Sequence, residues 1–371
     1  MSIQEEEFFA TVRHIHMMQG DPIFIKVLNL MNDIMHLPII DDIAWHLYHF
    51  VRLLLGPLWA LGLLISFLVK LLSGALVTRL EQPKGRAILI TGCDTGFGYD
   101  LAIALVKKGW RVYAGCLTQA AVAELKTKAA GGAGTMVSVL MDVTKQADID
   151  RVVAQIAKES PKQLFAVVCN AGVGRGGLVD WTPLATYRAI MEVNLFAMIA
   201  TCKACLPLLK ESKGRIVNVT SMAAAEAFST SLRFELEGWG IRVVTVNPSF
   251  HRTRISTNAA ETVKQAYEDL DAKTQAEYGL EYLRAVQKLT SDQTDGCWDP
   301  RHVVNTLVRA TTAVSPRTQY IVGADATFCL LPLMNLPTPD IEKIVSLTLL
   351  QNMVPAKEKQ SLKARQGKKE K

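Results

Sequence analysis

Six short apolar runs constrain this chain more than any other feature. They lie at 87–90, 111–115, 136–141, 165–169, 215–219 and 242–246, with a weaker seventh at 320–322. Helical patterns fill the intervals near 97–108, 119–129, 146–158, 183–210 and 223–238. A strand that is apolar along its whole length is buried on both faces, which requires helices above and below the sheet. Strands alternating with helices therefore predict an α/β fold with a doubly wound parallel sheet.

The first strand runs into Thr91-Gly92-Cys93-Asp94-Thr95-Gly96-Phe97-Gly98, and a helical stretch follows. A strand, a glycine turn and a helix make the phosphate-binding start of a dinucleotide fold. Gly92 lets the chain leave the strand tightly, Gly96 admits a pyrophosphate close to the backbone, and Gly98 lets the helix pack close to the strand. The helix N-terminus then offers unpaired N–H groups and a positive dipole end. The spacing G-x-x-x-G-x-G also fits an ordinary glycine turn; the strand rhythm behind it decides for the dinucleotide reading.

Domain boundaries follow from composition. Residues 1–50 form a mixed N-terminal extension without the basic start and apolar core of a cleaved signal peptide. Residues 51–78 read as a membrane-anchor helix: 53–69 is uncharged, Arg52 and Lys70 bound it, and Trp45, Tyr48 and Trp59 suit an interface belt. A buried core helix or a re-entrant hairpin is the alternative. Lys70, Arg79, Lys84 and Arg86 follow the run, whereas Asp41, Asp42 and Arg52 precede it, so the charge rule places the 85–326 domain in the cytosol. Within that domain, 260–300 reads as a candidate substrate lid. Residues 327–356 form an apolar, proline-rich extension, and 357–371 a basic tail.

The tail carries seven basic and two acidic residues, so it holds most of the formal net charge of +6. No basic face for nucleic acid is evident. The seven cysteines are scattered; Cys202 and Cys205 form a lone C-x-x-C spacing without a partner pair or histidine cluster, and the set reads as core thiols, with no metal site. The chain ends in Lys368-Lys369-Glu370-Lys371, which fits a K-K-x-x retrieval signal of the endoplasmic reticulum membrane.

Further motifs follow the glycine turn in order: Asp142-Val143-Thr144, Asn170-Ala171-Gly172, Val193-Asn194, Gly214 to Ser221, Asn247-Pro248-Ser249 and Thr253. From Gly85 to about Asp325 the chain thereby resembles the short-chain dehydrogenase/reductase family. Within it, the chain is most similar to the membrane-bound branch of retinol, 17β-hydroxysteroid and 3-hydroxybutyrate dehydrogenases. The resemblance implies a Rossmann-like sheet and an NAD(P)-dependent oxidoreductase that interconverts an alcohol and a ketone or aldehyde on a lipophilic substrate of retinoid or steroid class. It implies a cofactor site of Thr91, Gly92, Asp94, Thr95, Gly96, Phe97, Gly98, Cys116, Leu117, Asp142, Val143, Asn170, Ala171, Gly172, Pro248 and Thr253. It also implies that Ser221 orients the substrate oxygen and that Asn194 holds a relay water. Cys169 stands where the family has Asn, and Ser249 where it has Gly. The second strand ends in Gly115-Cys116-Leu117-Thr118, with no cation to offset a 2′-phosphate, which favours NAD over NADP.

One part of the family pattern is missing. Its acid/base is a Tyr four residues before a Lys, and the Lys lowers the Tyr pKa. The eight tyrosines here are followed at +4 by Arg52, Ile103, Leu117, Met191, Asp271, Tyr282, Val286 and Ala324. Ser221-Met222-Ala223 runs straight into helix sequence of the kind that follows the family's Lys. Intact flanks around a lost block fit a skipped exon, a gene-model error or an isoform. The remaining helix keeps an apolar stripe, Phe228, Leu232, Leu236 and Trp239, so the domain is expected to fold. Two readings follow: an oxidoreductase with impaired catalysis, or a non-catalytic isoform that binds a dinucleotide or a partner. The family's dimer commonly uses the shortened helix, so a homodimer is in doubt.

Overall fold

The computed structural model describes residues 65, 79–174, 177–220, 224–295, 297–327, 338–348 and 355–360. The chain divides into two units, 1–77 and 78–371. Of the first unit only Ile65 is described, helical and exposed. Apart from Ile65, the anchor at 51–78, the extension at 1–50 and the last eleven residues of the tail lie outside the described residues.

The second unit is built on seven parallel strands: β1 (Ala87–Thr91), β2 (Arg111–Cys116), β3 (Thr135–Leu140), β4 (Leu164–Cys169), β5 (Arg215–Val219), β6 (Arg242–Pro248) and β7 (Gln319–Val322). Their order is β3-β2-β1-β4-β5-β6-β7. Every residue of β1 and β4 is buried, as their unbroken apolar sequence requires. The order reverses between β1 and β4, and ligands of open α/β sheets bind outside the carboxyl ends at such a switch point.

Helices cover both faces. On one lie α1 (Gly96–Lys107), α2 (Gln119–Lys128) and α11 (Arg301–Thr312), with Leu101, Leu105, Leu125, Val303 and Leu307 in the core. On the other lie α3 (Gln146–Glu159), α5 (Ala197–Ser212) and α6 (Ala224–Leu236), with Ile149, Val152, Ile156, Cys205, Leu209 and Leu232 in the core. A shorter helix, α4 (Leu184–Met191), continues through one π turn (Glu192–Phe196) into α5. This Leu184–Ser212 stretch is the one among the described residues long and apolar enough to cross a membrane. Its α5 part buries Ala197, Met198, Thr201, Cys202, Cys205 and Leu209, whereas α4 and the π turn bury none of their residues.

The 260–300 region is helical, as expected, but begins earlier: α7 (Arg254–Thr257), α8 (Ala259–Glu268), α9 (Ala272–Tyr278) and α10 (Leu280–Asp295). Its own core is Trp181 edge-on to Tyr267, Tyr278 and Tyr282. A further helix, α12 (Thr338–Thr348), lies in the apolar extension. Two sequence expectations need correction. Helix α11 was not anticipated, although Val303, Val304, Leu307 and Val308 recur at helical spacing. Trp239 does not continue the stripe of α6: Leu232 and Leu236 are buried, but the chain tightens to a 3-10 turn at Glu237–Trp239 and leaves Trp239 52% exposed. Its ring carries the Lys210 ammonium 3.8 Å from the centroid instead.

Candidate active site

The turn after β1 is shaped by what surrounds it. Gly92 has φ +70° and Gly96 φ +68°, values that favour glycine. A methyl group at Gly92 would lie 2.6 Å from Ala171 Cα, and one at Gly98 2.4 Å from both Asn170 Nδ2 and Gly92 O. Gly98 thus lets α1 lie against Asn170 and the Gly92 carbonyl, just past the ends of β4 and β1. Asn170 Nδ2 donates to Thr91 O and Gly92 O at 3.0 Å each. Thr91 Oγ1 accepts from the N–H groups of Asn170 and Ala171 at 3.0 and 3.1 Å. The Asn170-Ala171-Gly172 segment after β4 thereby clamps the glycine turn after β1.

Thr95 caps α1 in extended backbone without a side-chain hydrogen bond, and no acid lies in the first turn. The first N–H groups and the positive dipole end are left for an anion. Thr253 stands beside Gly96, and Phe97 meets the His251 ring edge-on at 6.1 Å.

Asp94 reaches from this turn to the end of β2. Its carboxylate accepts from Leu117 N (2.8 Å), Thr118 N (3.0 Å) and Thr118 Oγ1 (2.9 Å). Leu117 itself is exposed, whereas Cys116 is buried. Burial first, and the Asp94 charge second, push the Cys116 thiol up to about 12. The sequence showed no acid at the end of β2; the structure brings one there from the neighbouring loop.

Asp142 is spent on its own turn. It accepts from Thr144 N and Oγ1 and pairs with Lys145 at 3.2 Å. The Thr144 hydroxyl, the turn's amides and Lys145 hold it below the usual carboxylate range. Val143 lines a small cavity with Thr91, Cys169, Ala171, Val193 and Ala197. Asn194 sits in the π turn, where its Oδ1 accepts from Val173 N (2.8 Å) and its Nδ2 donates to Val173 O (2.9 Å). Its side chain is thus committed to the segment after Gly172.

At β6 the chain turns after Pro248. Asp325 Oδ1 accepts from Ser249 Oγ at 2.7 Å and from Trp298 Nε1 at 2.8 Å. A methyl group at Gly323 would lie 1.9 Å from Ser249 Oγ, so Ser249 is housed by a glycine opposite it. Thr253 forms a capping box with Ser256 on α7. The His251 ring is buried; its Nδ1 lies 3.0 Å from Ser249 O, and its Nε2 has no protein partner.

Ser221 lies outside the described residues. Beside it, α6 begins at Ala224, and no described tyrosine or lysine lies in its first two turns. The described tyrosines are engaged elsewhere or on α4: Tyr99 with Glu124, Tyr113 with Glu159, Tyr267, Tyr278 and Tyr282 around Trp181, Tyr320 with Arg317 N, and Tyr187 on α4. Glu226, which sequence reasoning passed over, gathers Thr220 Oγ1, Thr245 Oγ1, Asn247 Nδ2 and Gln319 Nε2 at 3.0–3.3 Å. It closes the space between α6 and the carboxyl ends of β5 and β6.

Fold and clamp together define a nucleotide-binding α/β protein of the dehydrogenase type. The family model for short chain dehydrogenases matches residues 86–264. The mitochondrial D-beta-hydroxybutyrate dehydrogenase of Mus musculus is 32% identical, over 66% of this chain and 78% of its own length. The 17-beta-hydroxysteroid dehydrogenase type 6 of Bos taurus is 34% identical, over 70% and 87%. Retinol dehydrogenase 16 of Rattus norvegicus is 32% identical, over 70% and 87%. Among solved structures, a short-chain dehydrogenase from Streptomyces avermitilis superposes with a TM-score of 0.55 at 21% identity, over 71% of this chain and 95% of its own. One from Burkholderia cenocepacia in complex with NADP gives 0.52 at 22% identity, over 72% and 99%. The chain belongs to the short-chain dehydrogenase/reductase family, in the branch of these hydroxybutyrate, hydroxysteroid and retinol enzymes.

Proposed function

We propose that this chain binds NAD and belongs to an oxidoreductase line that interconverts a hydroxyl and a carbonyl on a lipophilic substrate of retinoid or steroid class. The observation that carries the reading is the clamp of Asn170 on Thr91 and Gly92, which holds the glycine turn beneath an uncapped α1. The cradle fits a dinucleotide: positive φ at Gly92 and Gly96, and free N–H groups for the phosphates. Thr91 to Gly98 and Thr95 would hold the pyrophosphate, Asp142 and Val143 the adenine side, and Pro248, Ser249 and Thr253 the nicotinamide side. A bound nicotinamide supplies the hydride acceptor.

Asp94 supports NAD over NADP. Its negative charge stands beside the end of β2, where a 2′-phosphate is otherwise met by a cation. Residues 51–78 serve as the anchor, with the domain on the cytosolic side of the endoplasmic reticulum membrane; the flanking charges and the K-K-x-x ending support this.

Catalysis in this chain is impaired. Ser221 orients a substrate oxygen, but no tyrosine paired with a lysine stands ready to exchange its proton. General acid/base catalysis contributes about 10²–10⁴-fold. Turnover with NAD and a panel of retinols and hydroxysteroids, beside a version with a restored Tyr-x-x-x-Lys segment, tests this. The restored form is expected to be faster by at least about 10²-fold. Equal turnover by the two would refute the impairment.

A further inference from the structure

We propose that the amino-terminal edge of the sheet docks on an anionic phospholipid surface. Folding sorts the charge of this unit between its two edges. The connections entering the strands, counted from the last turn of each preceding helix, are 79–86, 104–111, 125–134, 156–163, 209–215, 233–242 and 309–319. They hold seventeen basic and five acidic residues; of the basic ones Arg215 is buried and donates to Ala310 O and Ala313 O. The connections leaving the strands, counted through the first helical turn, are 92–99, 117–122, 141–149, 170–187, 220–227, 249–257 and 323–326. They hold four basic and six acidic residues.

Part of this bias has a local cause, because cations in the last turn of a helix complement its dipole. That cause reaches Lys213, which caps the C-terminus of α5, but not Lys84 or Lys162, and the backbone of all three carries a second signal. Lys84, Lys162 and Lys213 are the described non-glycine residues with positive φ, at 46°, 55° and 49°. Glycine favours such backbone, and a long cationic side chain carries a conformational penalty there. All three are exposed. They precede β1, β4 and β5, which are neighbours in the sheet, so they stand in a row over roughly 10 Å. Arg111 and Arg242, the first residues of β2 and β6, extend the row at either end.

The same edge exposes apolar groups suited to a headgroup layer. Trp239 is 52% exposed under Lys210, and Leu80 and Val314 are exposed where Val314 N meets Arg79 O. Tryptophan favours the membrane interface, and lysines favour an anionic leaflet. This unit also begins at Thr78, directly after the apolar stretch of the sequence ends at Val77. Docked this way, the glycine turn and the switch point face water, from which a soluble dinucleotide arrives.

The test uses the full chain in nanodiscs of phosphatidylcholine, with and without phosphatidylserine, followed by hydrogen exchange. Entry into neutral discs reports the anchor; the lipid-dependent difference at the edge reports the docking, so the two readings fail separately. Slower exchange is expected at 156–163, 209–215 and 233–242 with phosphatidylserine only, by about fivefold per lysine engaged. High salt should remove it. A variant combining Lys84→Gly, Lys162→Gly and Lys213→Gly should lose the effect while melting no lower, since glycine suits each site. Equal exchange in both lipids, or an effect that survives the triple variant, overturns the proposal. Equal protection by a short RNA beside neutral discs would reassign the edge to nucleic acid and overturn it as well.

Discussion

Asp94 and Asn170 are the two side chains that decide what the glycine turn can hold. Asp94 carries its charge to the end of β2 through three hydrogen bonds. Replacing it by Ser keeps a short polar group and removes the charge. The ratio of NADP to NAD affinity should then rise about tenfold, the scale of one charge near a phosphate in partly screened surroundings; cofactor titrations of both forms check it. Asn170→Ala leaves Thr91 O and Gly92 O without their donor. Unpaired carbonyls cost about 1–3 kcal/mol, so the variant should melt lower and bind the dinucleotide more weakly, by calorimetry. The carboxylate of Asp94 could be read in the sequence only as part of a motif. Its partners lie 23 and 24 residues away along the chain, beyond any local pattern. Likewise the pairing of Ser249 with Gly323 needs the fold to bring the two segments together.

At the scale of elements, the strands were legible because burial on both faces leaves them unbroken apolar runs. All seven lie within two residues of the sequence expectation. Helix α11 was missed because Arg301, His302, Asn305 and Arg309 dilute its apolar face, and α6 was read one turn too far. A helical wheel assumes constant pitch, and the 3-10 turn at Glu237–Trp239 breaks it. The two ends of that stripe should behave differently. Leu232→Ala, buried against the sheet, should cost about 2–5 kcal/mol. Trp239→Ala should cost less than about 1 kcal/mol, the scale of an exposed cation–π contact. Urea unfolding of both variants distinguishes them. The π turn at Glu192–Phe196 left no trace in the sequence beyond Asn194 itself.

For the whole molecule, the sheet and its clamp are formed among the described residues, while the sequence holds no Tyr-x-x-x-Lys. Under the proposed function, these two observations separate binding from turnover. Acids elsewhere offset the basic edge in any count along the chain, and only the sheet order places its cations side by side. The measurement that tests the account most directly is a titration of the full chain with NADH, followed by nicotinamide fluorescence, beside the restored Tyr-x-x-x-Lys form. The account expects saturable binding by both, weaker in this chain because the lysine contact is gone, and competition by NAD well below that by NADP. Absence of saturable binding by this chain, with saturation by the restored form, would contradict it, because the clamp of Asn170 on the glycine turn would then not suffice to hold a dinucleotide.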